Sequence, residues 1–297
     1  MNAAAPTVAA ARMRRAEPHA GPTAGRRLRT AAPHLFLVAY TMVALGPILL
    51  VIMNSLKSRA AIFGSPFAPP SADTFSLVGY STAFQRANFG SYYVNSLVVT
   101  VSALALVLVL GSMAAFALSE YRFRGSTLLF LYLSLGIMIP IRLGTVSILR
   151  LMRDLGLLNT RLSLILVYTA MGLPLAVFIL SQFMRQVPGE LKEAGRVDGA
   201  SEFWVYRLVI PLIRPGLAAV AIFTMLPVWN DLWFPLILAP GESTKTVTLG
   251  AQAFLGQFVS DWNAVLAALT IAMVPVMALY LIFSKQFVRG ITAGAVK

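Results

Sequence analysis

Six apolar segments limit what this chain can fold into, because each is about as long as a lipid bilayer is thick. A hydrocarbon core about 30 Å thick requires about 20 consecutive apolar residues in one helix. Segments of this length lie at residues 34–53, 92–118, 127–147, 162–183, 214–239 and 264–288. A backbone inside lipid must satisfy its own hydrogen bonds, as a helix does. The segments therefore predict an all-α integral membrane protein with six transmembrane helices, the fourth bent at Pro174.

The composition agrees with a membrane protein and excludes several kinds of site. Only 12% of the residues are charged, compared with about 25% in soluble domains. Cysteine is absent and the histidines are His19 and His34 alone, so neither a thiolate nor a histidine metal cluster can form within the chain. The net charge of +13 comes mainly from basic residues between the apolar segments. That distribution is typical of membrane orientation signals and argues against nucleic-acid binding.

The distribution of Lys and Arg predicts which side of the membrane each loop faces. Residues 1–30 are rich in Ala, Pro and Arg, so we expect a disordered basic cytoplasmic tail before a transmembrane domain at 31–297. The first apolar run starts too far behind the first positive charges for a cleaved signal peptide. With both termini in the cytoplasm, 16 of the 24 Lys and Arg residues face inward, in line with the positive-inside rule. The external loops are then about 54–91, 148–161 and 240–263, and the main cytoplasmic loop is about 186–213.

The segment 190–215, which covers most of that cytoplasmic loop and the start of the fifth apolar segment, holds four of the chain's eleven acidic residues. Its first eight residues favour a helix, and the pair Asp198-Gly199 supplies a turn. Ser201 can cap a second short helix, which we expect to run to about Tyr206. The segment therefore predicts a charged helix-turn-helix at the inner face of the membrane.

The residues alone leave open what this helix pair contacts. Pro211 and Pro215 bracket the return to the membrane, because each disfavours helix just before it. One interpretation is a solvated loop, or an amphipathic pair lying on lipid headgroups. The other is a protein-docking surface, since Phe203, Trp204 and Tyr206 alternate with charges and the segment is close to neutral overall. A lipid-surface anchor would be expected to be strongly basic.

A motif in this segment resembles the EAA loop of ABC-importer permeases. The motif reads Glu193-Ala194-Gly195-x-x-Asp198-Gly199-Ala200-Ser201, followed by Ile210-Pro211-Leu212 and Pro215. The last eight residues, GITAGAVK, are similar to the tail of the carbohydrate branch of that family, the maltose-type permeases. Further similarities lie at Asn95-Ser96, at LGLLNT (155–160) and at Trp229-Asn230-Asp231, so the resemblance covers about 35–297. Gly195 stands where the family usually has a second Ala, and because Gly costs about 1 kcal/mol in a helix interior, a looser first helix is expected.

The resemblance implies a type I ABC-importer permease fold in the inner membrane of a bacterial cell. Such a subunit performs no chemistry, but forms half of the translocation pathway for a mono-, di- or oligosaccharide and is driven by a separate ATPase. The implied partners are an ABC ATPase dimer, a second permease of different sequence and an extracytoplasmic sugar-binding protein, all at the lipid bilayer. The sequence has no G-x-x-x-x-G-K-[ST] motif. No cofactor is therefore expected on this chain, and ATP and Mg²⁺ are expected on the ATPase.

The resemblance also assigns roles to residues of the loop. It implies that the ATPase docks on Glu190, Glu193, Ala194, Asp198, Gly199 and Ala200. Gly199 would permit the sharp turn between the two short helices, and Glu193 would supply charged contacts to the ATPase.

Polar residues inside the fifth segment are candidates for the transport path, since such groups are costly in lipid. The candidates are Trp229, Asn230, Asp231 and Trp233. Aromatic faces beside amide and carboxylate groups suit a sugar, whose apolar faces are ringed by hydroxyls. The two tryptophans could instead form an interface belt, with Asp231 paired to an arginine such as Arg142, and both interpretations stay open. Phe223 and Met225 are expected to pack against neighbouring helices.

The region before the last segment is a second candidate surface. In the family the loop between the fifth and sixth spans contacts the binding protein, so Asp261 and Trp262 are implied to make that contact. Asp261 or Asn263 could instead only cap the last helix.

Two other functions remain possible from the sequence. The same architecture could import another solute, such as a phosphorylated polyol, because the EAA-like loop does not distinguish solutes. A self-contained secondary carrier would need broken helices and ionisable relays near mid-bilayer, and Asp231 alone is thin support for one. An enzyme would need clustered catalytic groups, and the acidic residues offer no pair within the spans.

Overall fold

The computed structural model describes residues 24–86, 88–255 and 260–295, and these are helical with no β-sheet. The first helices are α1 (Ala24–Ser55), α2 (Arg59–Gly64), α3 (Val78–Arg86), α4 (Phe89–Glu120), α5 (Ser126–Met138), α6 (Thr145–Asp154) and α7 (Arg161–Arg185). They are followed by α8 (Gly189–Val197), α9 (Glu202–Val209), α10 (Arg214–Asn230), α11 (Trp233–Leu238), α12 (Val247–Gln252) and α13 (Trp262–Ala295). The chain divides after Leu49 into two compact units.

Three described helices are long and apolar enough to cross a membrane on their own: residues Pro33–Ser55 of α1, all of α4 and all of α7. Two bent pairs, α5 with α6 and α9 with α10, pass the same test together and bring the number to as many as five. An apolar stretch of α13, Trp262–Ala278, is shorter. The predicted all-α membrane fold is confirmed.

The third predicted segment is a broken helix rather than a straight span. Helix α5 ends at Met138, and the chain continues through a 3₁₀ turn, Ile141–Gly144, into α6 at a bend of 89°. Pro140 accounts for the break, because it has no backbone N–H and disfavours helix at the residue before it. The predicted external loop 148–161 includes the end of α6 and the first residue of α7, and its position outside the membrane stays a prediction.

The predicted disordered tail at residues 1–30 needs a correction at its end. Residues 1–23 lie outside the described part of the chain, and the helical backbone begins at Ala24. Ala and Arg are among the best helix formers, so α1 can extend beyond its apolar stretch. At the other terminus, α13 likewise runs past the predicted limit of 288 to Ala295.

Helices α4 and α7 pack along much of their length and form the centre of the unit that starts at Leu50. Small residues allow the close approach: a Cβ on Gly111 would lie 2.7 Å from the Cβ of Ala176, and one on Gly172 would lie 2.6 Å from Val107. Such spacing leaves no room for a side chain on either glycine, as is common where membrane helices meet. Helix α10 packs against both α4 and α7, and α13 packs against α10, α3 and α12.

Candidate functional site

The predicted helix-turn-helix is present as α8 and α9, and glycine makes its turn. Gly199 has φ +82°, a left-handed conformation that other residues rarely adopt. The N–H of Ala200 donates to the carbonyl of Gly195, and the N–H of Gly199 donates to that of Arg196, both at 3.0 Å. These two bonds form a Schellman motif, which ends α8 and reverses the chain. The turn predicted at Asp198-Gly199 is therefore confirmed.

Helix α9 is anchored by apolar side chains. It begins at Glu202 after Ser201, as predicted, although the Ser201 hydroxyl makes no capping hydrogen bond, and it extends to Val209 rather than to Tyr206. Val205 and Val209 are each 1% exposed, in a cluster with residues of α4 and α7. The hydroxyl of Tyr206 lies 2.8 Å from Ser112 Oγ on α4. Helix α9 therefore belongs to the packed core of the fold.

Helix α8 has no buried side chain and is attached by charge instead. Lys192 Nζ lies 2.5 Å from Glu120, the last residue of α4, and Arg196 Nη2 lies 2.7 Å from the same carboxylate. The Arg196 guanidinium also donates to both oxygens of Glu202, at 2.8 and 3.2 Å. Tyr121 donates to Glu202 at 2.6 Å. We call these five residues the α8 ion network.

The ion network shifts the pKa values of its outer members. Hydrogen bonds from Arg196 and then from Tyr121 lower the pKa of Glu202 to about 2. The hydrogen bond from Arg196 to Glu202 raises the pKa of Arg196, and the hydrogen bond to Glu120 contributes in the same direction but less. Desolvation by burial, followed by the bond to Glu202, raises the pKa of Tyr121 to about 12. All three groups therefore keep one protonation state across the neutral range.

The residues implied to dock the ATPase lie on the solvent-exposed surface of this helix pair. Glu190, Glu193, Ala194, Asp198 and Gly199 are exposed, and Ala200 is half-buried. Within the described ranges, the acids Glu190, Glu193 and Asp198 form no salt bridge, unlike Glu120 and Glu202. Their carboxylates are therefore available to another molecule.

Exposed apolar side chains extend the same surface. Val197, which the sequence interpretation did not single out, is 87% exposed, and Phe203 and Trp204 are also exposed. Arg207 lies over the Trp204 ring at 5.2 Å. The surface therefore mixes free carboxylates with apolar groups, a composition that suits a protein partner more than water alone.

Gly195, the departure from the family motif, is not required by packing. A Cβ at this position would make only an ordinary contact, 3.9 Å from Val205 Cγ2. Alanine would therefore fit, and the glycine costs α8 some helix propensity without a steric reason.

The fifth predicted segment is interrupted at Asp231, which lies between α10 and α11. Its carboxylate accepts backbone N–H bonds from Trp233 at 3.2 Å and Phe234 at 3.1 Å. Tyr168 on α7 donates to it at 2.9 Å, whereas the Arg142 guanidinium is 3.9 Å away and largely exposed. Asp231 is therefore a capping residue for α11, and its pairing with Arg142 is the weakest of these contacts.

The structure separates the other candidates of the transport path. The Trp229 side chain is only 2% exposed, and its Nε1 donates to the Ala272 carbonyl of α13 at 2.9 Å. Its ring packs edge-on against Tyr93. The Trp229 side chain therefore packs between helices, which favours a structural role, and its place in the path stays a prediction. Trp233 is partly exposed and donates to Thr145 Oγ1 at 3.0 Å.

Asn230 and Asp231 line a cavity of about 420 Å³ between α7 and α10. Phe223, which was expected to pack against neighbouring helices, is instead 51% exposed and forms part of the cavity wall. Met225 is buried as expected. The other lining residues are Ile141, Arg142, Tyr168, Met171, Gly172, Leu175, Thr224, Pro227, Val228 and Phe234. The volume lies within the range of small-ligand sites, which runs from about 300 to 1,000 Å³.

The start of α13 is capped as the alternative interpretation expected. Asp261 Oδ1 accepts the N–H of Ala264 at 3.1 Å, and the buried Asn263 donates to the Lys57 carbonyl at 2.7 Å. Trp262 is partly exposed and packs edge-on against Phe63. Residues 256–259, just before this cap, lie outside the described part of the chain. Contact of Asp261 or Trp262 with a binding protein stays a prediction.

Comparison with known proteins gives one consistent answer. The family described as "Binding-protein-dependent transport system inner membrane component" matches residues 107–293. The diacetylchitobiose uptake system permease protein NgcG of Streptomyces coelicolor is 36% identical over 89% of this chain and 88% of the relative. The melibiose/raffinose/stachyose import permease protein MelC of Bacillus subtilis is 30% identical over 92% and 99%.

A solved structure shares the fold. It is the crystal structure of a bacterial ABC transporter involved in the import of the acidic polysaccharide alginate, and one of its chains matches with a TM-score of 0.77. The sequence identity is 22%, and the match covers 89% of this chain and 98% of that one. The family match spans more than half of the chain, and the relatives are similar along about nine tenths of it. The chain therefore belongs to the inner-membrane components of binding-protein-dependent transport systems, which are the permease subunits of ABC importers.

Proposed function

We propose that this chain forms half of the translocation pathway for a mono-, di- or oligosaccharide and is driven by a separate ATPase that docks on α8 and α9. The observation that carries the proposal is the exposed docking surface of the helix pair, whose three free carboxylates stand beside a Schellman turn. An amphipathic pair lying on headgroups would be expected to present basic side chains instead. ATP and Mg²⁺ are then bound by the ATPase dimer.

The proposal includes six spans with both termini in the cytoplasm of a bacterial cell. Beside α1, α4 and α7, the bent pair of α5 and α6 would count as one span, α10 as another, and α13 would supply the sixth. This arrangement puts the α8–α9 pair in the cytoplasm and Asp261 and Trp262 on the outer side, where a sugar-binding protein would contact them. A second permease chain of different sequence would complete the pathway.

A sugar is the proposed solute because the chain is similar to permeases named for diacetylchitobiose and for melibiose, raffinose and stachyose. The cavity beside α10 adds chemical support. Its wall includes the aromatic ring of Phe223, the amide of Asn230 and the exposed guanidinium of Arg142. Such groups can cover the apolar face of a sugar ring and bond its hydroxyls.

Two substitutions in the docking surface test the ATPase coupling. Gly199→Pro forces φ to about −65° where the turn needs +82°, and Glu193→Lys reverses an exposed charge. Each should leave the chain in the membrane but abolish binding-protein-stimulated ATPase activity of the reconstituted complex. Gly199→Asn, a residue that tolerates the left-handed region, and Asp154→Lys, an exposed acid on α6, are the matched controls. The docking assignment fails if stimulated ATPase activity survives both test substitutions.

The solute is tested by competition in vesicles that contain the complete transporter. Uptake of labelled diacetylchitobiose should be suppressed by unlabelled diacetylchitobiose or raffinose, and not by a phosphorylated polyol such as glycerol 3-phosphate. Suppression by the phosphorylated polyol alone would favour the alternative solute. Uptake that continues in the absence of ATP, driven by an ion gradient, would instead indicate a secondary carrier.

A further inference from the structure

The two short helices of the loop are fastened to the fold in different ways, and the direct attachment of α8 to α4 depends on one residue. Helix α9 buries Val205 and Val209 in the core, whereas α8 buries no side chain. Apart from the backbone turn, the described polar contacts of α8 with other elements converge on two carboxylates. Of these, Glu120 alone lies on a membrane-spanning helix.

Glu120 stands where helix electrostatics disfavours an acid. It is the last residue of α4, and the partial negative charge at a helix C-terminus repels a carboxylate. Its side chain is only 12% exposed, so its charge must be compensated locally. Lys192 at 2.5 Å and Arg196 at 2.7 Å supply that compensation. The Glu120 carboxylate is therefore stabilised by the cations of α8 and not by the dipole of its own helix.

The geometry of the network joins three helices. Lys192 and Arg196 are four residues apart and so share one face of α8, which is the face toward α4. Arg196 also holds Glu202 at the start of α9 through two N–H donors, a planar pairing with strong directional preference. Glu193 and Val197 each follow one of these cations by one position, about 100° around the helix, and are exposed. The face of α8 that is fastened thus differs from the face that is free to dock.

We propose that Glu120 is a positioning residue that fastens α8 to α4, so that α8 and α4 move as one body when the ATPase closes. This inference rests on the proposed function, since the force on α8 is supplied by the docked ATPase. A displacement of α4 is transmitted to α7, because these two helices are in close contact at Gly111 and Ala176. Without Glu120, α8 would still be connected to α9 by the turn and by the Arg196–Glu202 ion pair, but it could move away from α4.

The experiment measures the distance between α8 and α4 directly. The chain has no cysteine, so nitroxide labels can be placed only on introduced cysteines: Leu191→Cys on α8, outside the docking surface, and Met113→Cys on α4, both exposed positions. The complete transporter is measured by pulsed electron resonance before and after trapping with ATP and vanadate. An otherwise identical complex without the two cysteines gives the background from the partner chains.

With Glu120 present, the distance distribution should be narrow and unchanged by trapping. In Glu120→Gln it should broaden, and trapping should shift it by about 5 Å or more, the rise of one helical turn. Glu120→Asp, which keeps the charge, should restore most of the narrow distribution, whereas the neighbouring Arg122→Gln should behave as the unchanged protein. Binding-protein-stimulated ATPase activity of Glu120→Gln should fall at least fivefold although the ATPase still co-purifies.

Several results would overturn the inference. One is a large shift of the α8–α4 distance on trapping in the protein that retains Glu120. Another is a distance distribution in Glu120→Gln that is as narrow as that of the protein with Glu120. If Glu120→Gln does not accumulate, Lys192→Gln is the second variant, and it should broaden the distribution less because Arg196 still reaches Glu120. An ATPase that fails to co-purify with the unchanged chain would refute the proposed function, whereas the effect of Glu120→Gln on the breadth of the distribution would still decide the fastening.

Discussion

Helices α8 and α9 belong to one loop and have similar lengths, nine and eight residues, but they are held by opposite means. Helix α9 is held by buried valines and by Tyr206 against α4, and α8 is held by the ion network. Apolar burial is non-directional and difficult to reverse, whereas charged pairs fix orientation and respond to solvent. The difference indicates that the apolar contacts of α9 fix the position of the loop against the core. The ion pairs of α8 fix the orientation of that helix.

The magnitudes support this division. Full burial of a valine stabilises by about 1.5–3 kcal/mol, and α9 has two such residues. An exposed ion pair contributes about 0–1 kcal/mol, and the network of α8 is only partly buried. Helix α9 should therefore stay in place under conditions that already loosen α8.

The largest expected effect comes from breaking the apolar anchor. Val205→Asp places a carboxylate in a cluster where the native side chain is 1% exposed, and an unpaired buried charge costs several kcal/mol. We expect little or no folded permease in the membrane fraction. Val197→Asp, the same substitution at an exposed position on α8, should leave the amount of folded permease unchanged.

The measurement is the quantity of monodisperse protein after detergent extraction. Equal yields of the two valine variants would mean that α9 is not part of the core, and the contrast between the two helices would disappear. A loss in Val197→Asp alone would reverse the contrast.

A second carboxylate, Asp231, sharpens the comparison because it too holds a short helix by charge. It accepts two backbone N–H bonds at the start of α11 and one from Tyr168. Loss of such a cap costs about 0.5–2 kcal/mol, so Asp231→Ala should lower the melting temperature of the purified permease by several degrees. Asp231→Asn keeps an oxygen acceptor and should lose less. If both variants melt as the unchanged protein does but take up sugar poorly, Asp231 serves the path and not the fold.

The sequence predicted those parts of this picture that depend on local chemistry. The apolar runs located most helices, and Asp198-Gly199 located the turn, because left-handed backbone selects glycine. The break between α5 and α6 was missed although Pro140 marked it, because the surrounding apolar run suggested an uninterrupted span. Local pattern did not reveal which faces of α10 are buried, since that helix is apolar nearly all round. The burial of Trp229 and the exposure of Phe223 were therefore not predictable from the sequence.

The ion network shows another limit of sequence reasoning. Glu120 and its partners Lys192 and Arg196 are separated by 72 and 76 residues along the chain. Nothing local links them, and only the packing of α4 beside the loop brings the charges together. An acid at the end of a span and two basic residues four apart in the loop were the available signals.

A smaller effect is expected when α8 is stiffened from within. Gly195→Ala should stabilise the helix by about 1 kcal/mol, because the added Cβ fits 3.9 Å from Val205 Cγ2. Amide hydrogen exchange of α8 should slow by about fivefold at this energy, while that of α9 stays unchanged. Slower exchange in α9 as well would mean that the two helices open together, contrary to their separate anchors.

The smallest expected effect is that of pH. Hydrogen bonds from Arg196 and Tyr121 lower the pKa of Glu202 to about 2, below the ordinary value of about 4.3. A lowered carboxyl pKa stabilises the folded form fully above the ordinary value, and the contribution is lost as pH falls through about 2. The mobility of a nitroxide at Val197→Cys should therefore be constant from pH 8 to pH 5 and should begin to rise only below about pH 4.5. Because Tyr121, with its pKa raised to about 12, stays a donor throughout, a transition near pH 6 would show that another titrating group holds α8.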